Sequence, residues 1–189
     1  MWVLYAFINV LLTAILFMLV PGRSLVSYVI GLSSQFGSPS SASQIGLLIR
    51  QIDDALPLGG LFGYGLLVST ASYAVTVIGI KCVYEIHKLN VSLLSILNFV
   101  SISLMVSSVI YVFAILFAII YAPISLLLLM VAAAGNAILT YNGFRKAAPY
   151  DKRMFWTFLA ANAIKSAIVF MIINAIFNSY MLDLNFRLF

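Results

Sequence analysis

Apolar residues in this chain come in long unbroken runs, not in the alternating or striped patterns of soluble strands and helices. The first run covers about Trp2 to Val20, and Pro21-Gly22 then follows as a pair that stops a helix. A second run covers about Gly59 to Ile80, entered through Pro57 and Gly59-Gly60. A third lies within about Ser92 to Ile120 and a fourth covers about Ile124 to Tyr141. The break between them belongs at Tyr121-Ala122-Pro123, because proline starts a helix well and tyrosine suits a membrane edge. Asn142-Gly143 is the expected end of the fourth helix, and the fifth is expected from about Met154 to Asn178. Each run reaches the roughly 20 residues that a helix needs to cross a bilayer.

One segment has a different pattern. After the Ser/Gly-rich stretch Ser33–Ser43, Ile45, Leu48, Ile49, Ile52 and Leu56 share one helical face, opposite Arg50, Asp53 and Asp54. Ser43 is placed to cap such a helix. It is too short to cross a membrane and is expected to lie at the interface or against neighbouring subunits. Ser24–Leu32 is a further apolar patch, also too short to cross. The fold expected is an all-α polytopic membrane protein of about five transmembrane helices plus this short amphipathic helix.

The chain divides along its length into residues 1–58, a first hairpin over 59–120, and a second hairpin with its tail over 121–189, all within one membrane domain. The two hairpins run in the same orientation, each with a basic loop. This is the pattern of a parallel duplication, and equally of any four-span protein.

Composition sharpens the picture. Hydrophobic residues make up 64% of the 189, charged residues 8%, and mean hydropathy is +1.15, against about 45–50% apolar and about 25% charged in a soluble domain. Between Lys88 and Arg145 lie 56 consecutive residues without formal charge. As one helix they would extend roughly 84 Å, far beyond a single ~30 Å hydrocarbon core, so they must cross out and back.

Six of the ten cations lie in two short loops, Lys81 and Lys88 in one, Arg145, Lys146, Lys152 and Arg153 in the other. Loops separated by two spans share a side, and basic loops stay in the cytoplasm. That places the N-terminus inside, with residues 21–57 and the C-terminal tail outside. Arg23 alone argues for the reverse. No cation precedes the first run and no Ala-x-Ala site ends it, so it is expected to be a retained helix in place of a cleaved signal. The net charge of +5 sits beside apolar spans, which fits topology and not nucleic-acid binding.

Candidate chemistry is sparse. Lys165 falls near the middle of the fifth run, where a lysine costs ~2.5–3.5 kcal/mol and marks a functional site by default. Asn162 and Ser166 lie within about 100° of arc of it on a helix. No Asp or Glu falls inside any expected span. The lysine is therefore met by another subunit's carboxylate, a lipid, an anionic ligand or its own helix, or it is neutral.

Ala133, Gly135, Ala137 and Asn136 of the fourth run, with Ala163 and Ala167 of the fifth, form a set of small residues. Such residues let membrane helices approach closely, with Asn136 and Asn162 at comparable depth. Serines and threonines of the second and third runs fit interhelical packing or a pore lining. Cys82 reads as a packed thiol, and His87 has no metal partner. No nucleotide, zinc, haem or hydrolase motif is present, and neither catalysis nor a cofactor or metal is expected.

Two functional classes remain. One is a non-catalytic subunit of a larger membrane assembly: a secretion or conjugation apparatus, a phage membrane component, or an accessory subunit of an energy-transducing complex. Its partners would be the lipid bilayer and other membrane subunits, copies of itself included, in a bacterial inner membrane or an equivalent energy-coupling membrane. The other is a small transporter or channel with a polar intramembrane site around Lys165.

Overall fold

The structure, a computed structural model, describes residues 2–36, 58–147 and 152–188. Five helices follow one another: α1 Trp2–Phe36, α2 Leu58–Ile86, α3 Leu93–Ile120, α4 Ala122–Ala147 and α5 Lys152–Leu188. No strand occurs among the described residues, and all five helices are long and apolar enough to cross a membrane. The chain is an integral membrane protein. The amphipathic helix expected over Ile45, Leu48, Ile49, Ile52 and Leu56 lies outside the described residues.

Two expected helix ends are corrected. α1 does not stop at Pro21-Gly22 but carries Pro21 inside the helix and continues to Phe36. Proline forgoes one backbone hydrogen bond, whereas an apolar surrounding penalises every unbonded group in a broken helix. α4 likewise runs through Asn142-Gly143 to Ala147. The absent side chain of Gly143 serves packing instead: a Cβ there would sit 2.7 Å from the ring of Phe99. α2 and α5 also outrun their apolar cores, through Lys81–Ile86 and to Leu188.

The expected break between α3 and α4 is found. Tyr121 is the single extended residue between them, its N–H bonded to the carbonyl of Phe117. At the other end of α3, Ser92 caps the helix by accepting from Ser95 N–H. α2 closes with Leu89 N–H on Tyr84 O and Lys88 N–H on Glu85 O, the paired bonds of a Schellman ending. Lys88 takes the left-handed position at φ 56°, where glycine is usual.

Among sequence neighbours α3–α4 and α1–α2 pack closely, whereas α2–α3 and α4–α5 scarcely touch. α3 packs most extensively on α4 and on α1, α1 also packs along α2, and α2 carries α5. The helices form an arc in the order α4, α3, α1, α2, α5. α1 and α2 meet at Gly65, where an added Cβ would fall 2.6 Å from the Cα of Ala14. α1 and α3 are joined by Asn9, whose Nδ2 donates to Leu104 O and to Ser108 Oγ, each at 3.1 Å.

The α3–α4 seam is sewn by hydroxyls. Ser103 donates to Val100 O at 2.7 Å and shares a hydrogen bond with Thr140 at 2.9 Å. Ser107 donates to Ser103 O and reaches Ala132 O across the seam at 3.4 Å. Helical carbonyls absorb these hydroxyl protons, so buried serines cost little here.

Ser125 of α4 is 0% exposed and its Oγ has no partner among the described residues. Burying a hydroxyl unsatisfied costs about 1–3 kcal/mol. Ser125→Ala is therefore expected to leave thermal stability in detergent unchanged or raised by about 1 kcal/mol. A clear loss of stability would show that the hydroxyl is bonded.

Candidate functional site

The helix ends carrying the basic loops converge at one end of the arc. Tyr84 of α2 donates its hydroxyl to Phe144 O of α4 at 2.7 Å, and the two rings stack with centroids 4.8 Å apart. Tyr141, Phe155 and Phe158 complete an aromatic cluster across α4 and α5. His87 Nε2 and Thr157 Oγ1 share a 3.0 Å hydrogen bond between α2 and α5. Lys81 holds the α2–α3 turn through Val91 O and pairs with Glu85. Lys81, Lys88, Arg145, Lys146, Lys152 and Arg153 therefore share this end of the bundle.

Deeper in the bundle all five helices contribute to a polar chamber of about 210 Å³. α1 supplies Asn9 and Thr13, and α2 supplies Ser69, Ser72, Tyr73 and Thr76. Tyr111 of α3, Asn136 of α4 and Lys165 of α5 complete its polar lining. Val10, Phe17, Val68 and Val169 are among its apolar walls.

Much of this polarity is already engaged with protein. Thr13 donates to Asn9 O, Thr76 to Ser72 O, and Tyr73 shares a hydrogen bond with Ser101. Thr140 donates to Asn136 Oδ1 at 3.3 Å, tying the chamber wall to the α3–α4 hydroxyl seam. Lys165 differs: it makes no hydrogen bond or ion pair among the described residues. No carboxylate lines the chamber among the described residues. Of the five acids, Glu85 is the one whose side chain is described, and it pairs with Lys81.

The structure divides the expected site residues. Lys165 and Asn136 come together at the chamber. Asn162 instead donates to Phe158 O of its own helix, and Ser166 is exposed. The expected small-residue seam between α4 and α5 is corrected, because these helices do not pack along their lengths. Ala133, Ala137, Ala163 and Ala167 are exposed, and the space beside Gly135 is open. Among the glycines described, those in close contacts that leave no room for a side chain are Gly65 and Gly143. Cys82 is exposed, not packed.

Asn9, Thr13, Tyr73 and Tyr111 were missed as chamber residues. A signal for two of them existed: Asn9 and Thr13 interrupt the first apolar run four residues apart, hence on one helical face. Among the described residues no group of three His, Cys, Asp or Glu gathers as a metal site. No family model, curated protein or solved structure matches this chain.

Proposed function

We propose that the protein is a small membrane carrier that binds an anionic organic solute in the chamber at Lys165. The observation that carries this reading is a lysine in a five-helix polar chamber that, among the described residues, has neither a partner nor a carboxylate beside it. A cation withdrawn from water recovers its lost solvation only from an opposite charge and from hydrogen-bond acceptors. An anion entering the chamber supplies that charge, and the hydroxyls of Ser69 and Tyr111 and the amide of Asn136 are donors for its oxygens. In this reading the basic end of the bundle and the N-terminus face the cytoplasm, following the six loop cations.

The test is flux and binding in liposomes, with benzoate as the probe anion. The wild type is expected to bind and move benzoate, and Lys165→Met to lose at least tenfold in both. Lys165→Arg, which keeps the charge, should retain part of the binding. Equal benzoate flux in wild type and Lys165→Met, with both monodisperse, overturns the carrier reading.

A second reading, a non-catalytic subunit of a membrane assembly, is favoured by a separate observation. The small-residue faces at Ala133 and Ala137 of α4 and at Ala163 and Ala167 of α5 are left uncovered by the chain's own helices, and such faces suit close helix docking. Ala137→Leu and Ala163→Leu should then abolish co-purification of membrane partners or of a second tagged copy, with benzoate binding intact. Unchanged co-purification eliminates this reading.

A further inference from the structure

Lys165 belongs to two walls at once. Besides the polar chamber it lines a groove of about 520 Å³ between α2 and α5. That groove is almost wholly apolar: Val75, Ile78 and Ile86 form one bank, Ala160, Ile164 and Ile168 the other. Ile78, Ile86 and Ile164 are each more than 60% exposed, so the groove is open along the lipid-facing side of the bundle. Gly79 lines it too, with no atom within 4 Å of where its Cβ would stand, so the groove keeps its width there.

A cation at the junction of a polar chamber and an apolar groove matches a ligand with the same two halves. Resting on the carrier reading above, we propose that the solute is a long-chain carboxylate. Its carboxylate lies at Lys165 in the chamber and its alkyl chain lies along the α2–α5 groove. From Lys165 the α5 bank runs back eight residues to Thr157, about 12 Å at helical rise, which holds an alkyl chain of about ten carbons and is far more than a short organic acid fills.

Depth and acid–base chemistry select a carboxylate over a membrane phospholipid. Lys165 lies twelve residues beyond Arg153, about 18 Å along the helix, more than half of a ~30 Å hydrocarbon core. A phosphodiester head group stays ionised and is held at the interface. A carboxyl group becomes neutral by taking up a single proton, with a reference pKa of about 4.3, and as the neutral acid it enters hydrocarbon. At Lys165 the acid gives up that proton to the aqueous phase, which leaves a carboxylate beside an ammonium, the favoured ionisation state.

Cys82, the single cysteine, stands in the groove wall away from the chamber and reports on the tail without being part of the binding chemistry. In the reconstituted protein, oleate is expected to slow alkylation of Cys82 by N-ethylmaleimide at least fivefold, whereas butyrate and oleyl alcohol leave the rate unchanged. Oleate should also displace benzoate at concentrations at least tenfold below those butyrate requires. Lys165→Met should abolish the oleate protection.

Gly79→Leu and Ile164→Trp, which fill the groove from either bank, should weaken oleate at least tenfold while benzoate binding stays within twofold. Oleate protection that survives in Lys165→Met, or that oleyl alcohol reproduces, shows bulk occupation of the groove by hydrocarbon and overturns the proposal. If benzoate binds through Lys165 but chain length and groove filling have no effect, the long-chain inference fails and the carrier reading stands. If benzoate does not bind the wild type, the carrier reading itself has failed.

Discussion

Gly65→Leu is expected to destabilise the protein by about 3 kcal/mol, at the upper end for overpacking a filled interior. A Cβ at Gly65 would lie 2.6 Å from Ala14 Cα, 2.9 Å from Phe17 Cβ and 3.2 Å from Ala14 O. Two of those three atoms are backbone, so no rotamer change relieves the clash, and α1 must move away from α2. α1 also packs along α3 and places Asn9 and Thr13 in the chamber. The same displacement therefore strains the Asn9 bonds to Leu104 and Ser108.

Benzoate binding should fall together with stability in this variant. Gly135→Leu is the matched control, because nothing lies within 4 Å of its Cβ position; its cost should stay within about 0.5 kcal/mol. Thermal unfolding of both purified variants in one detergent decides the matter. Equal stabilities would mean that the α1–α2 contact at Ala14 is not a determinant of the fold.

Tyr84→Ala should cost a similar amount, about 3–5 kcal/mol, the range for removing a buried aromatic side chain. Tyr84 is 0% exposed and belongs to the largest buried cluster, with Ile80, Val83, Ile96, Phe144 and Phe158. Its ring stacks on Phe144, which in turn lies 4.8 Å from the ring of Phe158 on α5. Its hydroxyl has a separate task. Phe144 is in the last turn of α4, and Tyr84 donates to its carbonyl across the α2–α4 contact.

Tyr84→Phe separates the two contributions. It keeps the stack and should lose only about 1–3 kcal/mol, for a buried carbonyl that loses this donor. Unfolding in detergent, followed by circular dichroism, should rank wild type above Phe and Phe above Ala. If the Phe variant is as stable as wild type, water or another donor already serves Phe144 O.

How much of this was legible in one dimension varies from element to element. The turn at Tyr121 and the cap at Ser92 could be read because each is a local event, decided by proline, by a side-chain oxygen and by the adjacent backbone. The ends at Pro21 and Gly143 were misread for the same reason. Helix-stopping signals calibrated in water lose force where an interrupted helix would expose unbonded groups to hydrocarbon. Of the site, Lys165 and Asn136 stood out by being polar in apolar runs. Asn162 and Ser166 looked equivalent to them in sequence, yet one bonds its own helix and the other is exposed.

Sequence alone determined that this chain crosses a membrane with five apolar helices, that its basic loops gather at one end, and that a lysine without an intramembrane acid lies among its spans. These follow from the large solvation cost of charge in hydrocarbon, which constrains residues one at a time. Tertiary structure alone decided that α4 joins α3 while α5 joins α2, that Gly65 and Gly143 are points of close approach, and that Lys165 faces a polar chamber on one side and an apolar groove on the other. In lipid every apolar face is equally well solvated, so hydropathy cannot choose between partners. The choice rests on pairs of positions in different helices, a gap in one matched to a bulge or a hydroxyl in another, and such pairs exist only once the helices are side by side.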